Sequence, residues 1–274
     1  MSPLLMGVVN VTPDSFSDGG RFLATDAAIA HGRALVAQGA DLLDIGGEST
    51  RPGATRPVVA EELARVIPVI EALAGDGVTV SVDTMRAEVA AAAVAAGAAI
   101  VNDVSGGLAD PRILAVTADS EARYVCMHWR AHATEMQAAP HLEYAGGVVA
   151  GVLEELGARL DAARAAGLDD DRLIVDPGLG FSKTAEQNWE LLRGLDRIGS
   201  LGLPVLVGAS RKGFLGALLA APDGTPRPVG ERESAHTALV AVLAARTSPP
   251  IWALRVHDVG AARDAVLAVG RMER

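Results

Sequence analysis

The sequence predicts a (β/α)8 TIM barrel of the α/β class, folded as a single domain over residues 1–274. Three observations support this prediction. Eight short β-rich runs alternate along the chain with eight helical, alanine-rich segments. Several of the runs are apolar throughout, as the strands of a parallel sheet are when both of its faces are covered. The length of 274 residues is close to the ~250 residues typical of such barrels.

The strands are the short runs rich in Val, Ile and Leu that end at turn-forming residues. They are predicted near residues 5–9, 41–45, 78–82, 98–101, 123–127, 172–175, 203–207 and 250–255. The helices are the longer segments between them, near residues 24–38, 59–74, 86–96, 110–119, 143–166, 185–198, 230–246 and 258–271. A doubly wound open sheet also alternates strands with helices, but eight consecutive units favour closure into a barrel.

Composition and charge narrow the class of protein. Hydrophobic residues make up 50% of the chain and aromatic residues only 3%, so the core must be aliphatic. The net charge is −10 and basic residues do not cluster in a run, whereas a nucleic acid needs a clustered positive surface. The single cysteine, Cys126, excludes an internal disulfide. The apolar run Leu4–Val9 has no basic region before it and is too short for a signal peptide, and the long alanine-rich segments contain charges. We therefore expect a cytoplasmic protein without a membrane span or a nucleic-acid ligand.

A polar side chain follows every predicted strand, at the end of the barrel where catalytic residues of this fold lie. These residues are Asn10, Glu48, Asp83, Asn102, His128, Asp176, Ser210 and His257. Any one of them has an ordinary explanation as a helix cap or a turn residue. Because all eight strands end in this way, the pattern favours a ligand site at the mouth of the barrel.

The polar residues form two groups with different chemistry. Asp83, Asn102 and Asp176 follow strands 3, 4 and 6. A carboxylate there can accept two hydrogen bonds from the amino group and ring N–H of a 2-amino-4-oxopyrimidine. The second group is cationic and consists of Arg51, Arg211, Lys212, Arg255 and His257. It predicts an anionic ligand, for which a diphosphate is the natural candidate, although these cations can also pair with neighbouring carboxylates.

The loop after strand 7 is suited to a diphosphate, and the histidine spacing argues against a zinc site. Gly208–Ser210 precede a predicted helical turn, whose backbone N–H groups are suited to binding phosphate. The six histidines are scattered and show no spacing typical of a zinc site. Mg²⁺ held mainly by phosphate oxygens and water, with Asn10 as a protein ligand, fits the pattern better.

Longer strings resemble the dihydropteroate synthase family. Met6–Gly20, which includes Asn-Val-Thr-Pro-Asp-Ser-Phe-Ser-Asp, is similar to the first family signature, and Asp44–Gly53 is similar to the second. Further strings follow in family order at Ser81–Thr84, Asn102–Gly107, Asp176–Phe181, Ser210–Lys212 and Arg255–Val259. The stretch Met127–Arg130 and the high alanine content are similar to actinobacterial members. The resemblance covers essentially the whole chain.

The resemblance implies that a homodimer joins 6-hydroxymethyl-7,8-dihydropterin diphosphate to 4-aminobenzoate in folate synthesis. The implied pterin-binding residues are Asp83, Asn102, Met127, Asp176, Phe181, Gly208, Lys212 and Arg255. The implied diphosphate-binding residues are Asn10, Arg255 and His257, with Asn10 acting through Mg²⁺. The implied aminobenzoate-binding residues are Phe16, Thr50, Arg51, Pro52, Phe181, Ser210 and Lys212. The implied catalytic residues are Asp18, Asp83, Asp176 and Lys212.

Three other interpretations stay open at this point. A pterin-binding methyltransferase barrel would share Asp83, Asn102 and Asp176, but the segments Glu48–Gly53 and Ser210–Lys212 argue against it. A non-catalytic paralogue would bind a pterin without releasing diphosphate. A phosphate-binding barrel enzyme of sugar or nucleotide metabolism would not bind a pterin at all.

Overall fold

The computed structural model describes residues 2–11, 20–48 and 57–272. Its strands are β1 (Leu4–Asn10), β2 (Leu42–Gly46), β3 (Val80–Asp83), β4 (Ile100–Asp103), β5 (Arg123–Met127), β6 (Leu173–Asp176), β7 (Val205–Val207) and β8 (Ile251–Val256). They are parallel and form a closed barrel in the order of the chain, with β1 paired to β8. The predicted barrel is confirmed, and the strand boundaries lie within two residues of the prediction.

Helices surround the barrel. They are α1 (Gly20–Ala37), α2 (Val59–Gly75), α3 (Ala87–Ala95), α4 (Arg112–Ala118), α5 (Ala139–Leu142), α6 (Val148–Ala165), α7 (Ala185–Arg193), α8 (Leu195–Gly199), α9 (Gly213–Leu218), α10 (Glu233–Ala244) and α11 (Val259–Met272). Among the described residues, no helix combines the length and apolar character needed to cross a membrane.

The helices differ from the prediction in two respects. The predicted helix 185–198 is divided at Gly194 into α7 and α8. A Cβ atom at Gly194 would lie 2.7 Å from Val149 Cγ2, so the chain passes too close to α6 for a larger residue. The short helix α5, in the connection that follows β5, was not predicted, whereas α9 lies where a helical turn is predicted after Gly208–Ser210.

Two apolar layers hold the barrel together. Side chains inside the barrel form one cluster, consisting of Met6, Leu42, Ile100, Val125, Ile174, Leu206 and Ala253. A much larger aliphatic cluster lies between the strands and the helices. Each buried Leu, Ile or Val side chain stabilises the fold by about 1.5–3 kcal/mol.

The strand register places the predicted polar residues at the same height along the barrel axis. Asn10 pairs with Gly46, Gly46 with Asp83, and Asp83 with Asn102. On the far side of the barrel, Met127 pairs with Asp176. Because paired residues of neighbouring strands face the same side of a sheet, their side chains meet at the carboxyl mouth of the barrel.

Candidate active site

An arginine bridges two buried carboxylates at the centre of the mouth. Arg255 Nε donates to Asp44 Oδ2 at 2.6 Å, and Arg255 Nη2 donates to Asp83 Oδ2 at 2.8 Å. Asp44 is fully buried, and Asp83 is nearly so. Charge-assisted hydrogen bonds are strong where the local dielectric is low, so this bridge fixes β2, β3 and β8 relative to one another at the level of the site.

Asp44 was not among the predicted site residues. Its signal in the sequence is a single carboxylate inside the apolar strand Leu42–Ile45. Asp44 Oδ2 also accepts a hydrogen bond from Asn102 Nδ2 at 3.0 Å. Because a carboxylate can only accept, the amide nitrogen of Asn102 must face Asp44. The side-chain oxygen Oδ1 of Asn102 therefore points away from Asp44, where it can accept a hydrogen bond from a ligand.

Burial shapes the ionisation of both predicted pterin carboxylates. It raises the pKa of Asp83 to about 7, against the lowering effect of Arg255, and the negative charges of Asp44, Glu48 and Glu62 add to the rise. Burial also raises the pKa of Asp176, although the charge of Lys212 and a 2.7 Å hydrogen bond from the Gly178 N–H oppose it. Asp83 can therefore change protonation state near neutral pH.

Lys212 places a cation beside the loop that follows β6. Its Nζ lies 4.5 Å from the centre of the Phe181 ring and donates to the carbonyl of Leu179. Burial lowers the pKa of Lys212 to about 8, although the charge of Asp176 favours the protonated form. The lysine stem passes over Gly180, where a Cβ atom would lie 2.7 Å from Lys212 Cδ and where φ is +79°. Only glycine suits both the contact and the backbone conformation.

Apolar side chains line one side of the mouth. Met127 and Phe181, both predicted, belong to a small cluster separate from the barrel interior. The other members of this cluster are Met85, Val104, Ala109 and Trp129, which were not predicted. An apolar wall beside a few fixed polar groups is the usual construction of a small-molecule site.

Ser210 and His257 meet at the rim after β7 and β8. The backbone N–H of His257 donates to Ser210 Oγ at 3.2 Å, and His257 Nδ1 lies 2.9 Å from the same oxygen. When the serine hydroxyl donates to Nδ1, the imidazole proton lies on Nε2, which makes Nε2 a donor suited to phosphate. Gly208 borders Asp176 and Arg255, because a Cβ atom there would lie 3.9 Å from Asp176 Oδ2 and 3.7 Å from Arg255 Cβ.

The structure thus brings the described members of the predicted site to one mouth. Five predicted residues lie outside the described ranges, namely Phe16, Asp18, Thr50, Arg51 and Pro52.

Arg211 is described and exposed, with a left-handed φ of +61°. Its carbonyl accepts a hydrogen bond from Arg232 Nη1 at 2.8 Å, which holds the turn between Ser210 and Lys212.

A buried lysine holds the loop that carries Phe181. Lys183 Nζ donates to the carbonyls of Gly178 and Phe181 at 3.0 Å and lies 2.9 Å from His128 Nδ1. His128 Nε2 lies 3.0 Å from Glu155 Oε2. Burial and the charge of Lys183 lower the pKa of His128 to about 4. His128 is therefore neutral, with Nδ1 accepting from Lys183 and Nε2 donating to Glu155, and its role at the end of β5 is structural.

We expect Lys183→Met to lower the free energy of unfolding by about 2–4 kcal/mol, because each buried group left without its hydrogen bond costs about 1–3 kcal/mol. The substitution keeps the apolar stem and removes only the donor. Urea denaturation at pH 7 measures the effect. Thr184→Ala is the matched control in the same loop, since it removes the side-chain cap of α7 and should cost only about 1 kcal/mol. An unchanged urea midpoint for Lys183→Met would contradict this role.

Asn10 Oδ1 is a hard oxygen of the kind that Mg²⁺ prefers. A Cβ atom at Gly46 would lie 3.8 Å from Asn10 Oδ1 and 3.6 Å from Asp83 Oδ2, but Asp83 Oδ2 already accepts from Arg255 Nη2, so Asn10 is the better protein ligand of the two. Within residues 2–11, 20–48 and 57–272, no cluster of three or more His, Cys, Asp or Glu side chains could hold a metal ion. Mg²⁺ characteristically takes few protein ligands and completes its shell with phosphate oxygens and water.

The fold and this mouth define a barrel enzyme whose site suits a flat, polar heterocycle attached to an anion. The sequence profile described as "Pterin binding enzyme" matches residues 6–257. The dihydropteroate synthase of Mycobacterium leprae is 51% identical over 267 residues, which cover 97% of this chain and 92% of that protein.

Solved structures agree with this match. The Xanthomonas albilineans dihydropteroate synthase with 4-aminobenzoic acid has a TM-score of 0.87 and 45% identity, covering 99% of this chain and 93% of that one. The same enzyme in complex with 7,8-dihydropteroate has a TM-score of 0.85 and 43% identity, covering 99% and 94%. The chain belongs to the dihydropteroate synthase family of pterin-binding enzymes.

Proposed function

We propose that the chain condenses 6-hydroxymethyl-7,8-dihydropterin diphosphate with 4-aminobenzoate, releasing 7,8-dihydropteroate and diphosphate. The observation that carries this proposal is the Asp83–Arg255–Asp44–Asn102 network at the barrel mouth. It supplies fixed acceptors and a cation within one small volume. The relative solved with 7,8-dihydropteroate supports the same product.

The pterin is assigned to the deep part of the mouth. Asp83, Asp176 and Asn102 Oδ1 accept hydrogen bonds from its amino group and ring N–H groups, while Lys212 donates to it. The ring lies against Met127 and Phe181, next to Gly208. Because these acceptors are already fixed by Arg255, Asp44 and the Gly178 N–H, little reorganisation accompanies binding.

The diphosphate is assigned to Arg255, His257 and Asn10, which lie on or directly after the neighbouring strands β8 and β1. Asn10 would hold Mg²⁺, which when bound neutralises part of the diphosphate charge. His257 donates from Nε2 to a phosphate oxygen.

The reaction breaks the bond between the pterin methylene carbon and the diphosphate oxygen, and the bonding electrons leave with the diphosphate. The positive charge left on the pterin is stabilised by the carboxylates of Asp83 and Asp176, together with Asp18. The amine nitrogen of 4-aminobenzoate then forms the new bond to the methylene carbon and loses a proton. Correct placement of the two substrates supplies a large part of the rate acceleration.

4-Aminobenzoate is assigned to the outer part of the mouth. Ser210, Lys212 and Phe181 border it from the described part of the chain. Phe16, Thr50, Arg51 and Pro52 are assigned to it from the loops that follow β1 and β2.

The decisive experiment gives the purified chain both substrates and Mg²⁺ and measures diphosphate and dihydropteroate together. We expect equal amounts of both products, and much less diphosphate when 4-aminobenzoate is omitted. Pterin binding without diphosphate release would favour a non-catalytic paralogue or a methyltransferase-like barrel. No pterin binding would favour a phosphate-binding barrel with another substrate.

Asn10→Ala is expected to raise the Mg²⁺ concentration needed for half-maximal activity by about 10–100-fold, because a contact to a charged ligand with the strength of a hydrogen bond is worth roughly 1.5–3 kcal/mol. A Mg²⁺ titration at saturating substrates measures this shift. Asn10→Asp is the matched control, since it keeps a hard oxygen at the same position and should retain Mg²⁺ dependence close to wild type. Identical titrations for Asn10→Ala and wild type would rule out Asn10 as a ligand.

We also propose that residues 1–274 act as one catalytic domain within a cytoplasmic homodimer, as the resemblance implies. Sedimentation equilibrium of the purified protein tests the dimer.

A further inference from the structure

The loop that follows β6 takes a left-handed turn at Ser182, directly after Phe181. Ser182 has a φ of +49°, a conformation that is uncommon in residues other than glycine and that carries a conformational cost. Such a conformation persists only where the surrounding structure holds it. Because Ser182 is the next residue along the chain, its conformation sets the position of Phe181 relative to α7.

Hydrogen bonds hold the peptide groups on both sides of Ser182. Lys183 Nζ donates to the Phe181 carbonyl at 3.0 Å. The Tyr144 hydroxyl donates to the Ser182 carbonyl at 2.9 Å. Lys183 belongs to the loop itself, whereas Tyr144 lies in the connection between α5 and α6, 38 positions away. Tyr144 therefore ties the left-handed turn to a separate part of the fold.

The Tyr144 ring is itself held between Arg130 and α6. The guanidinium carbon of Arg130 lies 3.7 Å from the centre of the ring, and Arg130 Nε donates to Glu155 Oε2 at 2.9 Å. A Cβ atom at Gly151 would lie 2.6 Å from Tyr144 Cδ1, so the ring packs too closely on α6 for a larger residue there. Because the ring is already fixed, its hydroxyl holds Ser182 without the entropic cost of ordering a free side chain.

Phe181 is the part of this loop that reaches the pocket assigned to the pterin. It packs against the apolar cluster of Met85, Val104 and Met127. Lys212 Nζ lies 4.5 Å from the centre of its ring. A displacement of Phe181 would therefore disturb both the apolar wall of the pocket and the cation beside it.

We propose that Tyr144 is a positioning residue for the pterin. It acts through the Ser182 carbonyl, which holds the left-handed turn and keeps Phe181 in the wall of the pocket. Tyr144 does this without contacting the pterin. The inference rests on the proposed function, since it concerns one wall of the same site.

The test is a double-mutant cycle between Tyr144→Phe and Phe181→Ala. Calorimetric titration with 6-hydroxymethyl-7,8-dihydropterin diphosphate and Mg²⁺, without 4-aminobenzoate, measures the affinity of each variant. Tyr144→Phe removes only the hydroxyl and leaves the ring in place. We expect it to weaken binding about five- to tenfold, which corresponds to the loss of one hydrogen bond. In the Phe181→Ala background the same substitution should change the affinity by less than about twofold, because the side chain that it positions is gone.

Ser182→Gly tests the link through the turn. Glycine adopts a positive φ without the cost that serine carries, so the turn then depends less on the Tyr144 hydroxyl. We expect the variant that combines Ser182→Gly with Tyr144→Phe to recover most of the affinity that Tyr144→Phe loses. An affinity no better than that of Tyr144→Phe alone would overturn the proposed route through Ser182.

Tyr124→Phe is the matched control, because it is the same substitution at the other of the two tyrosines in the chain. The Tyr124 hydroxyl donates to Asp103 Oδ2 at 2.7 Å, and the ring packs in the aliphatic cluster between strands and helices. We expect this control to lower the melting temperature and leave the pterin affinity unchanged. The same result in Tyr144→Phe would show a purely structural role and overturn the proposal. An equal loss of affinity with and without the Phe181 side chain would also overturn it.

Failure of the proposed function gives a different result, because it appears in wild type. A wild type that binds the pterin diphosphate but forms no dihydropteroate would refute the proposed reaction, and the affinity cycle would still decide the role of Tyr144. A wild type that binds no pterin would overturn both proposals.

Discussion

Asp83→Asn is expected to lower kcat by about 10²–10³-fold, as is typical when one preorganised electrostatic group is removed from an active site. In the proposed mechanism the carboxylate stabilises the cationic pterin that diphosphate loss creates, and a neutral amide cannot replace that charge. The fold should survive, because an amide oxygen can still accept from Arg255 Nη2. Because the fold raises the pKa of Asp83 by burial, the ionised form is disfavoured in the native state. The melting temperature of Asp83→Asn at pH 8 should therefore not fall.

The pKa of Asp83 also predicts how pterin binding depends on pH. The pKa of Asp83 is raised to about 7, so the group is ionised above pH 7 and protonated below it. Binding needs the ionised form to accept hydrogen bonds, so affinity should be constant above this pH. Below it, affinity should fall by up to about tenfold per pH unit. Fluorescence titration with a pterin between pH 5 and 9 measures this profile.

Asp103→Asn provides a comparison for Asp83→Asn. Asp103 is equally buried, but it accepts hydrogen bonds from Tyr124, Ser105 and Gly107 and does not belong to the Arg255 network. Its substitution should affect stability and leave the pH profile of pterin binding unchanged. Near-normal kcat in Asp83→Asn, or an unchanged pH profile, would remove Asp83 from the catalytic role.

Arg255→Met is expected to destabilise the protein by about 3–5 kcal/mol, the usual cost of leaving buried charges without their partner. Asp44 and Asp83 would both lose the guanidinium group that neutralises them. Chemical denaturation at pH 8, above the pKa of Asp83, measures the loss. Dihydropteroate synthesis should also fall severely, since the diphosphate loses a cation.

A double variant separates the loss of stability from the loss of activity. Adding Asp44→Asn to Arg255→Met removes one of the two uncompensated charges, so it should recover part of the lost stability through coupling between the two sites. It should not recover activity, because the cation is still missing. The coupling energy is the stability change of the double variant minus the sum of the changes in Asp44→Asn and Arg255→Met, and a value of zero would show that Asp44 and Arg255 do not interact energetically.

The sequence alone predicts the barrel and many of the polar groups that the structure places at its mouth. The strands and their partner helices are local patterns of apolar and turn residues, and each is recognisable in a short window such as Leu203–Val207. Once eight units are counted, barrel closure places the strand ends at one mouth. Asp83, Asn102, Asp176 and Lys212 could be predicted for this reason and because they belong to long, distinctive strings.

Only the tertiary structure determines which side chains interact with each other. Asp44 and Arg255 are separated by 211 positions, and no local pattern encodes such a partnership. The same holds for Lys183 with His128. The raised pKa of Asp83 follows from burial and from the sum of surrounding charges, which exist only when the chain is packed. The sequence specifies which groups line the mouth, whereas packing sets their partners and ionisation, because electrostatic interactions depend on distance and dielectric rather than on order along the chain.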